Sequence, residues 1–200
     1  MALSFHDAII KRRSVYGISK DPVVSNERLI EIIKDAVKHA PSAFNSQSGR
    51  IVVLFGEQHD KLWNALRDIL KKIVPADKFQ PTEDKIAGFR GGYGTILVFE
   101  DQDVIKGLQE NFPSYKDAFP TFSLHSSGML QYIIWTALAV EGLGASLQHY
   151  SPLIDEFITK EWNLPASWKL QCQIPFGKPT GENKEKEFGP LEPRVKVFGA

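Results

Sequence analysis

Cysteine is scarce in this chain, since Cys172 is the only one among 200 residues. A lone cysteine excludes a disulfide framework within the chain and any metal site built from several thiolates. It lies in WKLQCQIPF, where apolar and polar residues alternate as in a strand, and no basic cluster adjoins it in the sequence. We therefore expect a buried structural thiol rather than a reactive one.

An excess of charge of one sign is also missing, because 24 Lys and Arg residues balance 24 Asp and Glu residues. Electrostatic binding to a nucleic-acid backbone needs a basic surplus, so nucleic acid is a poor candidate partner. The apolar runs fall short of the roughly 18 to 20 residues that cross a bilayer. The opening MALSFHDAII lacks the basic segment and long apolar run of a secretory signal. We expect a cytoplasmic protein with no membrane partner.

Several motifs of well-known enzyme classes are absent. The glycines of FRGGYG precede a predicted strand, whereas a Rossmann fingerprint places its glycines between a strand and a helix. The sequence contains no Walker A motif, no H-E-x-x-H and no G-x-S-x-G. The histidines lack the spacing of metal ligands, so we predict no metal site. They are His6, His39, His59, His125 and His149.

Apolar residues are plentiful, at 42% of the chain, which is enough for the core of one ordinary domain. Helical periodicity and end signals predict helices at 5–12, 26–39, before Pro75, about 104–108, about 122–141 and from Ser151–Pro152. Short β-branched or alternating runs predict strands at IVVLF, TILVF, ASLQHY, SWKLQCQIPFG and PRVKVF. Because the two types alternate irregularly, we predict a single α+β domain over residues 1–200, with a central sheet covered by helices.

Some local features are also predicted. The first helix should turn Phe5, Ala8 and Ile9 inward, and the helix at 122–141, apolar nearly all round, should be buried on every side. Residues 75–83 are predicted to be irregular. The aromatic and proline-marked segment NFPSYKDAFPTF is a candidate lid.

Three polar segments are candidates for binding. In IIKRRSVYGI, cations on the last helical turn are favoured by the helix dipole by about 0.3 to 1 kcal/mol, which alone explains them. The alternative is that the planar donor fork of Arg12 or Arg13, with the hydroxyl of Ser14, binds a phosphate or a ring carbonyl.

The other two segments also have two explanations each. In PSAFNSQSGR, Asn45 and Gln47 fit ordinary turn chemistry, but their carboxamides also suit the edge of a heterocycle. In PRVKVF, Arg194 and Lys196 are two residues apart and would share one face of a strand, where they could bind one anion. Charges on an exposed edge strand explain this pair as well, and this is the default interpretation.

Taken together, RRS, APSAFNSQ and the basic pair near the C-terminus resemble the nitroreductase family of FMN-dependent oxidoreductases. FRGGYGTILVF, HSSGMLQ, GLGASLQHYSPLID and FGKPT are similar to a short subgroup, related to fungal fatty-acid-repression-mutant proteins and to bacterial oxidoreductases of that type. The ordered set spans nearly the whole chain. The resemblance implies an α+β nitroreductase-like fold with a mostly antiparallel sheet. It also implies an intertwined homodimer with two FMN molecules at the interface and C-terminal segments that wrap around the partner.

The resemblance also implies which residues hold FMN. Arg12 and Ser14 match positions that contact the flavin and its phosphate or ribityl chain, with Arg13 beside them. A loop that approaches the flavin, largely across the dimer, is matched by Pro41, Ser42, Asn45 and Gln47. The backbone at the flavin N5 edge is matched by Leu147, Gln148 and His149, and the phosphate-binding pair by Arg194 and Lys196.

Two further residues are assigned to the chemistry. Arg90 is placed on the N1/O2 side of the flavin, where a preorganised cation stabilises the charge of the reduced ring. His125 faces the substrate side in the subgroup, where it could bind an acceptor or supply a proton, although a histidine near a helix start is often a cap or packing residue. Phe44, Phe119 and Phe122 are either walls of the acceptor slot or core residues.

The implied activity is that of an FMN-dependent NAD(P)H oxidoreductase with a ping-pong cycle. Hydride passes from NADH or NADPH to the flavin, the nicotinamide leaves, and a nitroaromatic or quinone then takes the electrons. Two alternatives remain open at this point. One is a flavin-binding regulatory or stress-response protein with little turnover, and the other is a cofactor-free interaction protein.

Overall fold

The computed structural model describes residues 4–183 and 185–199. The predicted domain over 1–200 therefore includes residues 1–3, 184 and 200, which lie outside this description. The helices are α1 (Phe5–Lys11), α2 (Asn26–His39), α3 (Gly56–Lys71), α4 (Gln80–Arg90), α5 (Gln102–Asn111), α6 (Phe119–Val140) and α7 (Asp155–Glu161). The strands are β1 (Ile18–Ser19), β2 (Gly49–Phe55), β3 (Gly94–Asp101), β4 (Gly144–Ala145) and β5 (Trp168–Pro179).

The strands form one antiparallel sheet in the order β1-β5-β3-β2, and β4 pairs with β5 beside this path. In β3, Ile96 and Val98 face a core formed with α2 and α6, while Leu97 and Phe99 face a second core formed with α3 and α4. All four side chains are at most 1% exposed. Helices therefore cover both faces of the sheet, as predicted, and β3 is apolar without alternation because both of its faces are buried.

Helix α2 shows how local sequence sets the element bounds. The Ser25 hydroxyl accepts a hydrogen bond from the Arg28 backbone N–H at 3.2 Å and caps the first turn. Leu29, Ile33 and Ala36 form the buried stripe. The helix ends at His39 because Ala40 precedes Pro41 and is extended. The predicted bounds, 26–39, are confirmed.

The prediction of irregular structure over 75–83 is wrong for its second half, because α4 begins at Gln80. Pro81 stands in the first turn, where a proline costs no hydrogen bond. Ile86 and Phe89, three residues apart, bury the inner face of the helix against the second core. The helix was not predicted because most of its residues are polar and its apolar stripe is short.

Burial of the first and sixth helices was overestimated. In α1 only Ala8 is buried, while Phe5 is 76% exposed and Ile9 38% exposed. Helix α6 packs Leu130 and Ile134 into the core, but its Leu124 is 58% exposed and its Tyr132 is 37% exposed. An apolar face thus remains open to solvent on a single chain.

Three other predictions need correction. No helix opens at Ser151–Pro152, because this segment forms a turn and α7 starts only at Asp155. ASLQHY is a strand only at its start, in β4, followed by an isolated bridge between Gln148 and Gln173. Most of the candidate lid is helical, since Asn111 ends α5, Pro113–Tyr115 forms a 3-10 turn and α6 already begins at Phe119.

The predicted last strand, PRVKVF, is also wrong within the described chain. Its residues form a turn and an extended stretch that are exposed throughout. A strand needs a neighbour for its backbone hydrogen bonds, and no described strand of this chain pairs with the segment. This C-terminal tail, residues 180–183 and 185–199, has no buried side chain.

Three properties of the described residues bear on function. Cys172 is 0% exposed on β5, and burial raises the pKa of its thiol, so the prediction of a structural cysteine is confirmed. No helix in the described ranges is long and apolar enough to cross a membrane. Over the same ranges, no three histidine, cysteine, aspartate or glutamate side chains converge as metal ligands would.

Candidate functional site

The segment that carries Arg12 is fixed at the end of α1. The Arg12 backbone N–H donates to the Ala8 carbonyl at 3.1 Å, and the backbone of Arg12 then turns extended. Val15 continues beside β4 and donates its N–H to the Ala145 carbonyl at 2.9 Å. A side chain at Gly144 would come within 2.6 Å of a Val15 methyl carbon, so only glycine allows this approach. The sequence RRS is thereby held in one position against the sheet.

The Arg12 side chain has an unusual environment. Its guanidinium carbon lies 4.1 Å from the centroid of the Trp135 ring, and its Nε is buried without a hydrogen-bond partner. No carboxylate among residues 4–183 and 185–199 forms an ion pair with it. A half-buried cation is thus held by a ring face, and its charge is left uncompensated.

Arg12 lines a cavity of about 550 Å³. Its other basic residues are Arg13 and Lys186, and the one acidic residue is Glu182. The remaining lining residues are Ser14, Val15, Tyr16, Gly17, Thr180, Gly181 and Asn183. Three cations and several hydroxyl and amide groups around one space suit a ligand that carries an anionic group.

The loop between α2 and β2 is strained. Phe44, Asn45 and Gln47 have φ angles of 56°, 51° and 48°, in the left-handed region that favours glycine. Each such residue costs of order 1 kcal/mol or more, and strain of this kind concentrates at functional sites. Ser42 offsets part of it, because its hydroxyl accepts a hydrogen bond from the Gln47 N–H at 3.0 Å.

The Phe44 ring ties this loop to the segment before α6. Its centroid lies 4.8 Å from that of Phe112, 5.3 Å from that of Phe119 and 5.6 Å from that of Tyr115. Phe119 is 1% exposed and is therefore a core residue, whereas Phe44 remains 51% exposed. Of the three phenylalanines considered for an acceptor slot, Phe44 thus presents the most accessible ring, since Phe122 is half-buried.

A buried carboxyl group lies beneath the same loop. Glu100, 1% exposed, accepts hydrogen bonds at Oε2 from Ser48 at 2.6 Å and from Ser123 at 2.7 Å. Burial raises the pKa of this carboxyl, while the two hydroxyls act in the opposite direction. Glu100 lines a second cavity, of about 640 Å³, together with Pro41, Ser42, Gln47 and residues of α2.

The other predicted residues lie elsewhere. Arg90 donates from Nη1 to Asn64 Oδ1 at 2.5 Å and lines neither of these two cavities. His125 is exposed on α6 and lines a third cavity, of about 730 Å³, with Phe5 and Pro41. Three groups remain outside all three cavities: Asn45, the segment Leu147, Gln148 and His149, and the exposed pair Arg194 and Lys196.

The structure thus brings the predicted residues together in separate groups. Arg12, Arg13 and Ser14 share one cavity, while Pro41, Ser42 and Gln47 share another. The sequence argument missed the residues that hold these groups in place, namely Trp135, Arg50 and Glu100. Their spacing in the chain carries no signal, because they meet the site only through the packing of α6 and the pairing of β2 with β3.

Comparison with known proteins relates this geometry to a family. The model of the nitroreductase family matches residues 9–178. The chain belongs to the nitroreductase family. It is 32% identical over 193 residues to the nitroreductase FRM2 of Saccharomyces cerevisiae, covering 92% of this chain and 93% of that protein.

Solved structures of other nitroreductases share the fold. The nitroreductase CinD of Lactococcus lactis, in complex with chloramphenicol, is 45% identical over 98% of this chain and 100% of its own, with a TM-score of 0.90. CinD has also been solved with 4-nitrophenol. A protein of Exiguobacterium sibiricum in complex with FMN, 15% identical over 99% of each chain, has the same fold with a TM-score of 0.73.

These comparisons confirm the predicted family and the α+β fold with its antiparallel sheet. They also support an oxidoreductase, and the fold neighbour of Exiguobacterium sibiricum was solved with FMN. The residues of the Arg12 cavity fit that cofactor, because the unpartnered, half-buried guanidinium and its neighbouring cations suit a phosphate ester.

Proposed function

We propose that this nitroreductase is an FMN-dependent NAD(P)H oxidoreductase that reduces nitroaromatic or quinone acceptors by a ping-pong mechanism. The observation that carries the proposal is the Arg12 guanidinium, half-buried in a cavity rich in cations and not neutralised by any described carboxylate. A buried charge of this kind is favourable once an anionic ligand compensates it. The chloramphenicol and nitrophenol complexes of CinD support the acceptor class.

Several residues of the chain would hold FMN. Arg12, Arg13 and Ser14 would bind its phosphate or ribityl chain, and Arg194 and Lys196 would close on the phosphate from the exposed tail. The backbone at Leu147, Gln148 and His149 would border the N5 edge. When bound, FMN supplies the redox chemistry, since it can take a hydride from a nicotinamide and give two electrons to an acceptor.

The protein would act by positioning and by charge. Asn45 and Gln47 can offer carboxamide donors and acceptors to the edge of the flavin ring, and Phe44 an apolar surface to a planar acceptor. His125 would bind the acceptor or supply a proton, since a ring nitrogen of imidazole can donate a hydrogen bond or a proton. Arg90 would have to release Asn64 to reach the N1/O2 side of the flavin.

The same proposal includes a homodimer. In a single chain, Arg12 and Pro41 line different cavities, and in the proposed dimer each subunit would bring one of these two groups to a shared flavin. The apolar face formed by α1 and α6 remains open, with Phe5 76% exposed and Met129 39% exposed. Phe198 in the C-terminal tail is 90% exposed. Surfaces of this composition are favourable when a partner covers them.

Anaerobic reduction of the purified protein tests the function. We expect a yellow protein whose visible absorption bleaches on addition of NADH or NADPH and returns on addition of 4-nitrophenol or a quinone. Steady-state rates at several acceptor concentrations should give parallel double-reciprocal lines. A bound flavin that no nicotinamide reduces would instead indicate a regulatory flavoprotein, and a colourless protein that binds no added FMN would indicate an interaction protein.

A further inference from the structure

Trp135 is the one aromatic residue whose ring lies against Arg12, at 4.1 Å from the guanidinium carbon, among the contacts of the described chain. We propose that Trp135 is a positioning residue for the cofactor, because its ring fixes the Arg12 guanidinium in place without neutralising its charge. The inference rests on the proposed function, in which Arg12 binds FMN. It names a residue on α6 that touches Arg12 rather than the flavin.

The ring itself is held by the backbone. Trp135 donates its indole Nε1–H to the Ala145 carbonyl oxygen at 3.1 Å, and the Val15 N–H donates to the same oxygen at 2.9 Å. One acceptor on β4 therefore links the indole to the segment that follows Arg12 and Ser14. Because β4 positions both the indole ring and the segment that follows Arg12, the ring and the guanidinium should keep the same relative position.

The chemistry explains why an aromatic ring stands here. A carboxylate beside Arg12 would orient the guanidinium, but it would also compete with an anionic ligand for the same donors. The face of an indole attracts the guanidinium through its quadrupole and carries no net charge. The Nε of Arg12 is buried and lacks a hydrogen-bond partner, so this part of the guanidinium is desolvated, which strengthens such a contact.

The position of Trp135 also fits its role. It lies on the part of α6 that faces β4, and the side chain is half-buried. The buried neighbours Ile134 and Leu138 fill the core of that helix, so packing does not depend on the indole alone.

The test is the affinity of the full-length protein for FMN, measured by flavin fluorescence on serial dilution of the holoprotein. Trp135→Leu removes the ring face and should raise the dissociation constant about 2- to 30-fold. Trp135→Phe keeps a ring face without the indole N–H and should give a smaller rise. Trp162→Leu is the control, because Trp162 donates to Gln58, meets the Phe157 ring edge to face and does not line the cavity of Arg12.

A double-mutant cycle separates positioning from a general structural effect. If Trp135 acts through Arg12, Trp135→Leu should cause no further loss of FMN affinity in an Arg12→Ala background. An equal loss in both backgrounds, or an equal loss in Trp162→Leu, would overturn the proposal. If Trp135→Leu does not fold, as judged by thermal unfolding, the same cycle is run with Trp135→Phe.

The outcomes also distinguish this inference from the proposed function. An unaltered protein that binds no FMN contradicts the proposed function itself. An unaltered protein that binds FMN and loses affinity in Arg12→Ala, but not in either Trp135 variant, contradicts only the positioning role.

Discussion

Arg50 donates from Nη1 to the main-chain carbonyl oxygen of Gln47 at 2.7 Å. Its Nη2 binds Asp101 Oδ2 at 3.0 Å, so the same side chain links the strained loop to the end of β3. The left-handed conformation of Gln47 is therefore maintained by a charged group three residues later, and not by the loop sequence alone.

Replacing Arg50 with alanine should release the loop. We expect Arg50→Ala to lower the free energy of unfolding by about 1 to 2 kcal/mol, because the guanidinium is part-buried and makes charge-assisted hydrogen bonds. Urea unfolding followed by circular dichroism measures this change. Arg67→Ala is a matched control, since Arg67 pairs only with the adjacent Asp68 at the surface, and an equal loss there would contradict the interpretation.

Replacing Arg12 with alanine should weaken cofactor binding. The loss of charge-assisted hydrogen bonds worth about 1.5 to 3 kcal/mol corresponds to a rise of about 10- to 150-fold in the FMN dissociation constant. Lys11→Ala is the control, because Lys11 is exposed on the last turn of α1 and lines no part of the cavity. Full FMN occupancy of Arg12→Ala after purification would contradict the assignment.

His59 forms the centre of a fully satisfied buried network. Its Nε2 donates to the Arg90 carbonyl at 3.0 Å, which requires a proton there in the neutral ring. Its Nδ1 accepts from the Thr95 hydroxyl at 2.8 Å, and Trp63 donates its indole N–H to that hydroxyl at 2.9 Å. A second ring proton would therefore disrupt the bond with Thr95.

This network predicts a pH dependence of stability. Burial lowers the pKa of His59. The hydrogen bond to the Arg90 carbonyl and the charge of Asp60 raise it, but they do not cancel the effect of burial. Below the unfolded pKa of about 6.5, the unfolded chain therefore binds a proton that the folded chain does not. The free energy of unfolding should fall with decreasing pH from there, by at most about 1.4 kcal/mol per unit.

Unfolding curves between pH 5 and 8 check this expectation. In His59→Gln, the free energy of unfolding should fall less steeply with decreasing pH below about 6.5, which is the pKa of an unfolded histidine. His39→Gln, at the exposed end of α2, controls for the removal of a histidine as such. An unchanged slope in His59→Gln would assign the dependence to other groups.

A charge on the open face of α6 should prevent dimerisation. Met129 is 39% exposed and lines the apolar cavity with Phe5 and Tyr132, so Met129→Glu would place a carboxylate in the proposed interface. We expect a monomer by sedimentation velocity and loss of bound FMN. Ile73→Glu is the control, because Ile73 follows α3, is 58% exposed and does not line the apolar cavity. A dimeric Met129→Glu protein would contradict this interface.

The sequence predicted those parts of the fold whose signals are local. The Ser25 cap and the stop at Pro41 define α2, and the apolar run TILVF defines β3. It overestimated burial on α6, because apolar residues predict that a face will be covered but not which chain covers it. It failed for PRVKVF, since alternation predicts a strand only where another strand is available for pairing.

The residues of the candidate site were also predicted only in part. The sequence singled out Arg12, Ser14 and Gln47 because they belong to short contiguous motifs, and each of them lines a cavity. Trp135 and Arg50 were not found, because each acts through a contact between distant elements that no spacing in the sequence encodes. The sequence thus indicated the groups that are proposed to bind a ligand and missed the groups that hold them in place.

The exposed C-terminal tail has a consequence for the lifetime of the protein. β5 ends at Pro179, and every described residue after it is accessible. Backbone in this condition is the preferred substrate of proteases, whereas the sheet and its helices are protected. In the proposed function, dimerisation and FMN binding, rather than folding of the sheet, would then determine how fast proteases cleave the tail that carries Arg194 and Lys196.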